Sequence, residues 1–158
     1  MKDKVKDAYE SSKNIYDDVL TQSNIFRRLY IKLFWNGTVD NVIAQKVLSY
    51  IPNDFNGDLL DVPVGTAVFT KSKWIYLNNA HITCLDYSQD MLEQAKIRLN
   101  GQKHIQCIQG DVGNLQMDDE TFYIVLSMNG FHAFPDKIKA FQETWRVLKP
   151  GGDFIAYF

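Results

Sequence analysis

The sequence predicts an α/β chain built on a doubly wound parallel sheet, with a helical cap ahead of it. From residue 58 onward, short apolar runs alternate strictly with segments of helical spacing. That order fits a parallel sheet covered by helices on both faces. The first three runs end on carboxylates, Asp61, Asp86 and Asp111, each 25 residues from the next. In open sheets of this class ligands bind beyond the carboxyl ends of the strands.

The elements follow in order. Ser23 can cap a helix whose apolar positions are Phe26, Leu29, Tyr30, Leu33 and Phe34, ended by Asn36-Gly37. Thr38 can cap the next, with Val39, Ile43, Val47 and Ile51 on one side and Pro52 as its stop. These make a cap, residues 1–56, expected to pack on the same core as the sheet domain, residues 57–158. DLLDV (58–62) is the first strand, AVFTKSKWIYLNN (67–79) is helix-like, and HITCLD (81–86) is the second strand. Ser88 caps a helix bearing Met91, Leu92, Ala95 and Leu99, closed by Asn100-Gly101. HIQCIQGD (104–111) and FYIVLSM (122–128) follow as strands. A helix with Ile138, Phe141, Trp145 and Leu148 then leads to a fifth strand, DFIAYF (153–158).

At 158 residues with 46% apolar content, the chain has the size of one domain with one core. A net charge of -2 gives no electrostatic reason to expect nucleic acid or an anionic membrane as the main partner. The charged start lacks the apolar core of a signal peptide, and no run is long and apolar enough to span a membrane, so a cytoplasmic setting is expected. Cys84 and Cys107 lie in strand-like runs without a metal-ligand partner at the usual spacing. They read as inert, reduced core thiols, and no metal site is expected.

The turn after the first strand contains Pro63, Gly65, Thr66 and Ala67. A carboxylate past the second strand can accept from both hydroxyls of a ribose. Asp61, in contrast, puts negative charge where a pyrophosphate would sit at a helix N-terminus, and a cationic group suits it better. Any one of the three aspartates could instead simply cap a helix or start a turn.

With these residues in view, LLDVPVGTAVF resembles the first motif of class I S-adenosylmethionine-dependent methyltransferases, D/E-x-G-x-G-x-G, with Pro63 and Ala67 in place of the outer glycines. CLDYSQDMLEQAKIRL is similar to the second motif, IQGDVGNLQMDDETFYIVLSMNGFHAF to the third and fourth, and FQETWRVLKPGGDFIAYF to the segment before strand five. The resemblance covers residues 57–158 and implies a Rossmann-like methyltransferase fold, truncated after strand five. It implies that Asp61 and the backbone from Pro63 through Gly65 to Thr66 meet the methionine part of S-adenosylmethionine. By the same resemblance Asp86 would hold the ribose, Tyr87 and Met91 the adenine face, and Asp111 the adenine amino group with the Val112 amide nearby. Met128 would border the reactive end. His132, after strand four, is the best-placed side chain to remove a proton from an acceptor. Tyr16, Tyr30, Phe34 and Trp35 are candidates for an aromatic lid.

The leading expectation is methyl transfer to a small-molecule acceptor. A non-catalytic cofactor-binding or assembly module is the alternative, and an NAD(P)-dependent oxidoreductase is disfavoured by Asp61 and the missing glycine fingerprint. The family's sheet has two further strands. The sequence therefore predicts either self-association through residues 153–158, an apolar edge able to pair with another chain, or a chain cut short of its natural partner segment.

Overall fold

The computed structural model describes residues 38–128, 130–131 and 134–157. The chain divides into two compact units, residues 1–41 and 42–158, and the sheet belongs to the second. The first 37 residues of the expected cap, with the lid candidates Tyr16, Tyr30, Phe34 and Trp35, lie outside the described residues.

Helix α1 is Thr38–Leu48, strand β1 Asp58–Asp61, helix α2 Lys71–Tyr76, strand β2 His81–Asp86 and helix α3 Gln89–Arg98. Strand β3 is Ile105–Gln109, strand β4 Phe122–Met128, helix α4 Lys137–Arg146 and strand β5 Leu148–Tyr157. The five strands are all parallel, in the order β3-β2-β1-β4-β5. The expected α/β doubly wound sheet is therefore the observed fold. The order reverses direction beside β1, the point at which such sheets open a ligand crevice.

Side-chain alternation along β1 divides the core in two. Leu59 joins Trp74, Ile82, Cys84, Leu92, Ile124 and Leu126 on one face. Leu60 joins Leu85, Val125, Ala140 and Val147 on the other. Leu48 and Ile51 belong to the first of these clusters, so the chain from α1 into β1 packs on the sheet.

Local signals fix the helix ends. The Ser88 hydroxyl accepts from the Met91 amide at 3.4 Å, and Gly101 beyond the end of α3 has φ +83°, a conformation favouring glycine. Asp136 caps α4 by accepting from the Lys139 amide at 3.0 Å. At the other end of α4 the Arg146 guanidinium donates to the carbonyls of Leu115 and Met117 and pairs with Glu143 and Asp119. These contacts fasten the long β3–β4 connection to the helix.

Two expectations are corrected. Of the stripe Ile138, Phe141, Trp145 and Leu148, Ile138 is 72% and Trp145 64% exposed and Phe141 is half-exposed with its ring against Phe154 of β5, while Leu148 is buried at the start of β5 and Ala140 and Thr144 are the buried positions of the helix. Small side chains on the inner face let the helix approach the strands closely, and the large apolar ones are left outside. The fifth strand begins at Leu148 rather than residue 153. Phe122 pairs with Leu148 and Ile124 with Asp153, so two steps on β4 meet five on β5. The chain around Gly151, at φ +77°, takes up the excess as an irregularity of the ladder.

The orientation of α4 is tested by two substitutions. Ala140→Leu is expected to cost about 1–3 kcal/mol through overpacking, whereas Ile138→Ala stays within about 0.5 kcal/mol of wild type. Urea unfolding of both variants checks this, and the reverse ranking would contradict the buried Ala140 face.

Candidate functional site

The site is built where the chain leaves β1. The Val62 amide donates to the Leu126 carbonyl of β4 and the Val64 amide to the Leu85 carbonyl of β2, both at 2.9 Å. The turn is thus tied to both neighbouring strands. Its next amide, Gly65 N–H, donates to Asp86 Oδ2 at 2.8 Å. Gly65 and Ala67 both have φ +57°. Gly65 takes that conformation without steric cost, whereas Ala67 occupies the left-handed region at some strain.

Pro63 follows a cis peptide bond, and its ring lies where a side chain at residue 130 would be. A Cβ on Gly130 would come within 2.1 Å of Pro63 Cδ. A proline in place of the usual glycine is accommodated because the residue across the crevice is itself glycine. The Thr66 carbonyl is held by Arg98 of α3, Nη1 to O at 2.7 Å.

Asp61 ends β1 almost fully buried, and Oδ2 accepts from Trp74 Nε1 at 2.8 Å. Burial pushes its carboxyl up to about 7. The Trp74 hydrogen bond offsets part of this, and the nearby Asp86 charge adds to it. The buried Thr70 hydroxyl lies beside the same carboxyl and eases the shift, yet falls short of hydrogen-bond geometry. Among the described residues no cationic side chain pairs with Asp61. A cationic ligand group would supply what these residues do not.

Asp86 ends β2 with Oδ1 accepting from the Ser88 amide and Oδ2 from the Gly65 amide, each at 2.8 Å. Burial raises its pKa, and the amides of Ser88, Gly65 and Tyr87 hold it back. A carboxylate oxygen has room for more than one donor, so Oδ1 and Oδ2 retain acceptor capacity for ligand hydroxyls. Tyr87 is exposed and Met91 half-buried at the start of α3.

The third strand end is more open. The Gly110 amide donates to the Asp86 carbonyl at 3.0 Å, which brings Asp111 to the same sheet edge. The Asp111 side chain is exposed and accepts from the Gly113 amide at 2.8 Å, the local turn that the sequence also allowed. Val112 is buried in the core and Met128 is half-buried at the end of β4. His132 lies outside the described residues. The fold therefore gathers Asp61, the turn at 63–67, Asp86, Asp111 and Met128 along one edge of the sheet. Trp74, Arg98 and Gly130 were not among the residues the sequence singled out. Only Gly130, in an N-G pair after a strand, carried a signal that could have found it.

The donor set suits S-adenosylmethionine, which the motif resemblance implies. A buried carboxyl with no cation beside it among the described residues ends β1, and a carboxylate pinned by two amides ends the neighbouring β2. Among the described residues no cluster of side chains suited to a metal ion occurs, and no helix is long and apolar enough to cross a membrane.

Comparison with known proteins points in the same direction. A family model described as a methyltransferase domain matches residues 60–156. The demethylmenaquinone methyltransferase of Staphylococcus epidermidis is 41% identical over 116 residues, 70% of this chain and 46% of that protein. The chain spans about half the length of the curated relatives it matches. A putative methyltransferase structure from Bacillus halodurans aligns with a TM-score of 0.63 at 26% identity, over 72% of this chain and 49% of that one. A putative S-adenosylmethionine-dependent methyltransferase structure from Methanococcus maripaludis has a TM-score of 0.64 at 24% identity, over 94% and 62%, and so speaks for the fold.

Two outcomes test the site as a physical object. Asp61 binds its proton more tightly in the folded chain, at about 7 against the ordinary 3.8. Its stabilising contribution is therefore whole below pH 4 and is lost as the pH rises through 7. Thermal melts from pH 4 to 8 should show Asp61→Asn gaining on wild type across that window, and parallel profiles would contradict the buried, unpaired carboxyl. Gly130→Ala should lose about 1–3 kcal/mol by collision with Pro63, measured by urea unfolding. An unchanged midpoint would mean the turn does not pack against Gly130.

Proposed function

The chain belongs to the methyltransferase domain family, of the S-adenosylmethionine-dependent kind, and from that premise we propose that it transfers a methyl group to a small-molecule acceptor. The observation that carries the proposal is the pair of differently solvated carboxyls, Asp61 and Asp86, on either side of the Gly65 turn. Demethylmenaquinone methyltransferases are among its relatives. They support an acceptor of the demethylmenaquinone kind over a macromolecule, as does the near-neutral charge balance. A cytoplasmic setting, in which Cys84 and Cys107 stay reduced, belongs to the same proposal.

Bound S-adenosylmethionine supplies a methyl group activated on a sulfonium. The chain's own task is then chiefly binding, orientation and exclusion of water. Asp61 and the backbone of Pro63, Gly65 and Thr66 receive the cationic methionine part. Asp86 accepts from the ribose hydroxyls, while Tyr87, Met91, Asp111 and Val112 border the adenine. Met128 faces the transferring end, and His132 takes a proton where the acceptor has one to lose. Arg98 and Trp74 keep the turn and Asp61 in position.

The fifth strand carries a related proposal about partners. Among the described residues β5 is an edge strand, and its outer side pairs with no strand. The aromatic surface runs on from it, since Phe154 packs edge-on against Phe141, which stacks on Trp145. An open row of backbone donors and acceptors beside apolar surface is matched by another strand edge with the same surface. The occupant proposed is a second copy of this chain.

Calorimetric titration of S-adenosylhomocysteine tests the cofactor reading. Micromolar binding to wild type should weaken at least tenfold in Asp86→Ala, and failure of a folded wild type to bind would overturn the proposal. Sedimentation equilibrium tests the partner. A concentration-dependent dimer weakened by Trp145→Glu is expected, and a monomer at all concentrations would refute it.

A further inference from the structure

Cys84 and Cys107 are the only two cysteines in the chain, and the fold brings them opposite each other. They are register partners on β2 and β3. Both pack into the core cluster on the α3 side of the sheet, so their side chains share one face. Neighbouring strands lie about 4.8 Å apart, inside the range of about 4.4–6.8 Å between Cα atoms that a disulfide spans.

The two thiols are also unlike. Cys84 is fully buried, whereas Cys107 is half-buried. The neighbouring Cys84 thiol lowers the pKa of Cys107 below the ordinary thiol value, and the positive charge of Lys96 contributes. The Cys107 sulfur beside it, together with burial, pushes the Cys84 thiol above its ordinary value. A half-buried thiol that ionises more readily, beside a buried thiol that ionises less, is the arrangement in which one sulfur attacks and the other resolves.

We propose that Cys84 and Cys107 form a dithiol modification site that closes to a cross-strand disulfide when it meets a small organic disulfide. The Cys107 thiolate attacks one sulfur of the reagent, whose S–S bond breaks and releases one thiolate. The Cys84 thiol then attacks the Cys107 sulfur of the mixed disulfide and gives its proton to the departing reagent thiolate. The Cys84–Cys107 bond forms and the second reagent thiolate leaves. Two protein thiols are oxidised, and one reagent disulfide is reduced to two thiols. Strand register and thiol chemistry carry this step, independently of any cofactor.

The test uses the full chain with hydroxyethyl disulfide near neutral pH, read by intact mass and peptide mapping. Wild type is expected to lose two hydrogens, retain no free thiol and yield a linked peptide pair containing residues 84 and 107, all reversed by dithiothreitol. Cys84→Ser should stop at the mixed disulfide on Cys107, with circular dichroism confirming its fold. Three results would overturn the proposal: a wild-type mixed disulfide on Cys107 that never resolves, a cross-link between two chains, or thiols that react only after unfolding.

Discussion

The central position of β1 constrains everything around it. A strand with parallel neighbours on both sides has its backbone groups taken up along its whole length. The chain leaving it can only rise over the sheet edge. Here the first amides past Asp61 are still claimed by the neighbours, Val62 by Leu126 of β4 and Val64 by Leu85 of β2. The turn is therefore held from two sides before any ligand is present. The next amide, Gly65, reaches the carboxylate of β2. A change that displaced β2 or β4 would move the turn with it.

The two carboxyls at this edge show how burial alone does not set a group's chemistry. Asp61 and Asp86 both end central strands and both are more than nine-tenths buried. Asp86 has two backbone amides, so its charge is solvated by the protein itself. Asp61 has one indole N–H and the field of a second aspartate, and its proton is held to about 7. One charge is solvated by backbone amides, and the other has no positive partner among the described residues. The two strand ends therefore differ in the groups they suit, hydroxyl donors at Asp86 and a cation at Asp61.

Trp74 acts on this edge from outside the motifs, and Arg98 from the far end of the helix that the second motif spans. Trp74 projects from a helix of six residues into the core and turns its single polar atom to Asp61. Arg98, at the end of α3, crosses to the Thr66 carbonyl. Neither lies in a pattern that singles it out along the chain, since a tryptophan in a short apolar helix and an arginine in a last helical turn are both ordinary. Their roles come from distances between segments that are remote in sequence.

By itself the sequence determined the alternation of strand and helix, the caps at Ser88 and Asn100-Gly101, and the aspartates at three successive strand ends. These are local matters: periodicity, capping chemistry and turn residues act over a few positions and can be read from them. Tertiary structure alone decided which side of α4 meets the sheet. Apolar spacing marked Ile138, Phe141, Trp145 and Leu148 as one stripe, but close helix-to-sheet approach buried Ala140 and Thr144, leaving Ile138 and Trp145 exposed and Phe141 at the margin against Phe154. It also decided that Pro63 is tolerated, through the missing side chain of Gly130, and that Cys84 faces Cys107. Each of these outcomes depends on which atoms from distant parts of the chain share a volume. That is set by sheet order and register, and no local stretch of sequence contains it.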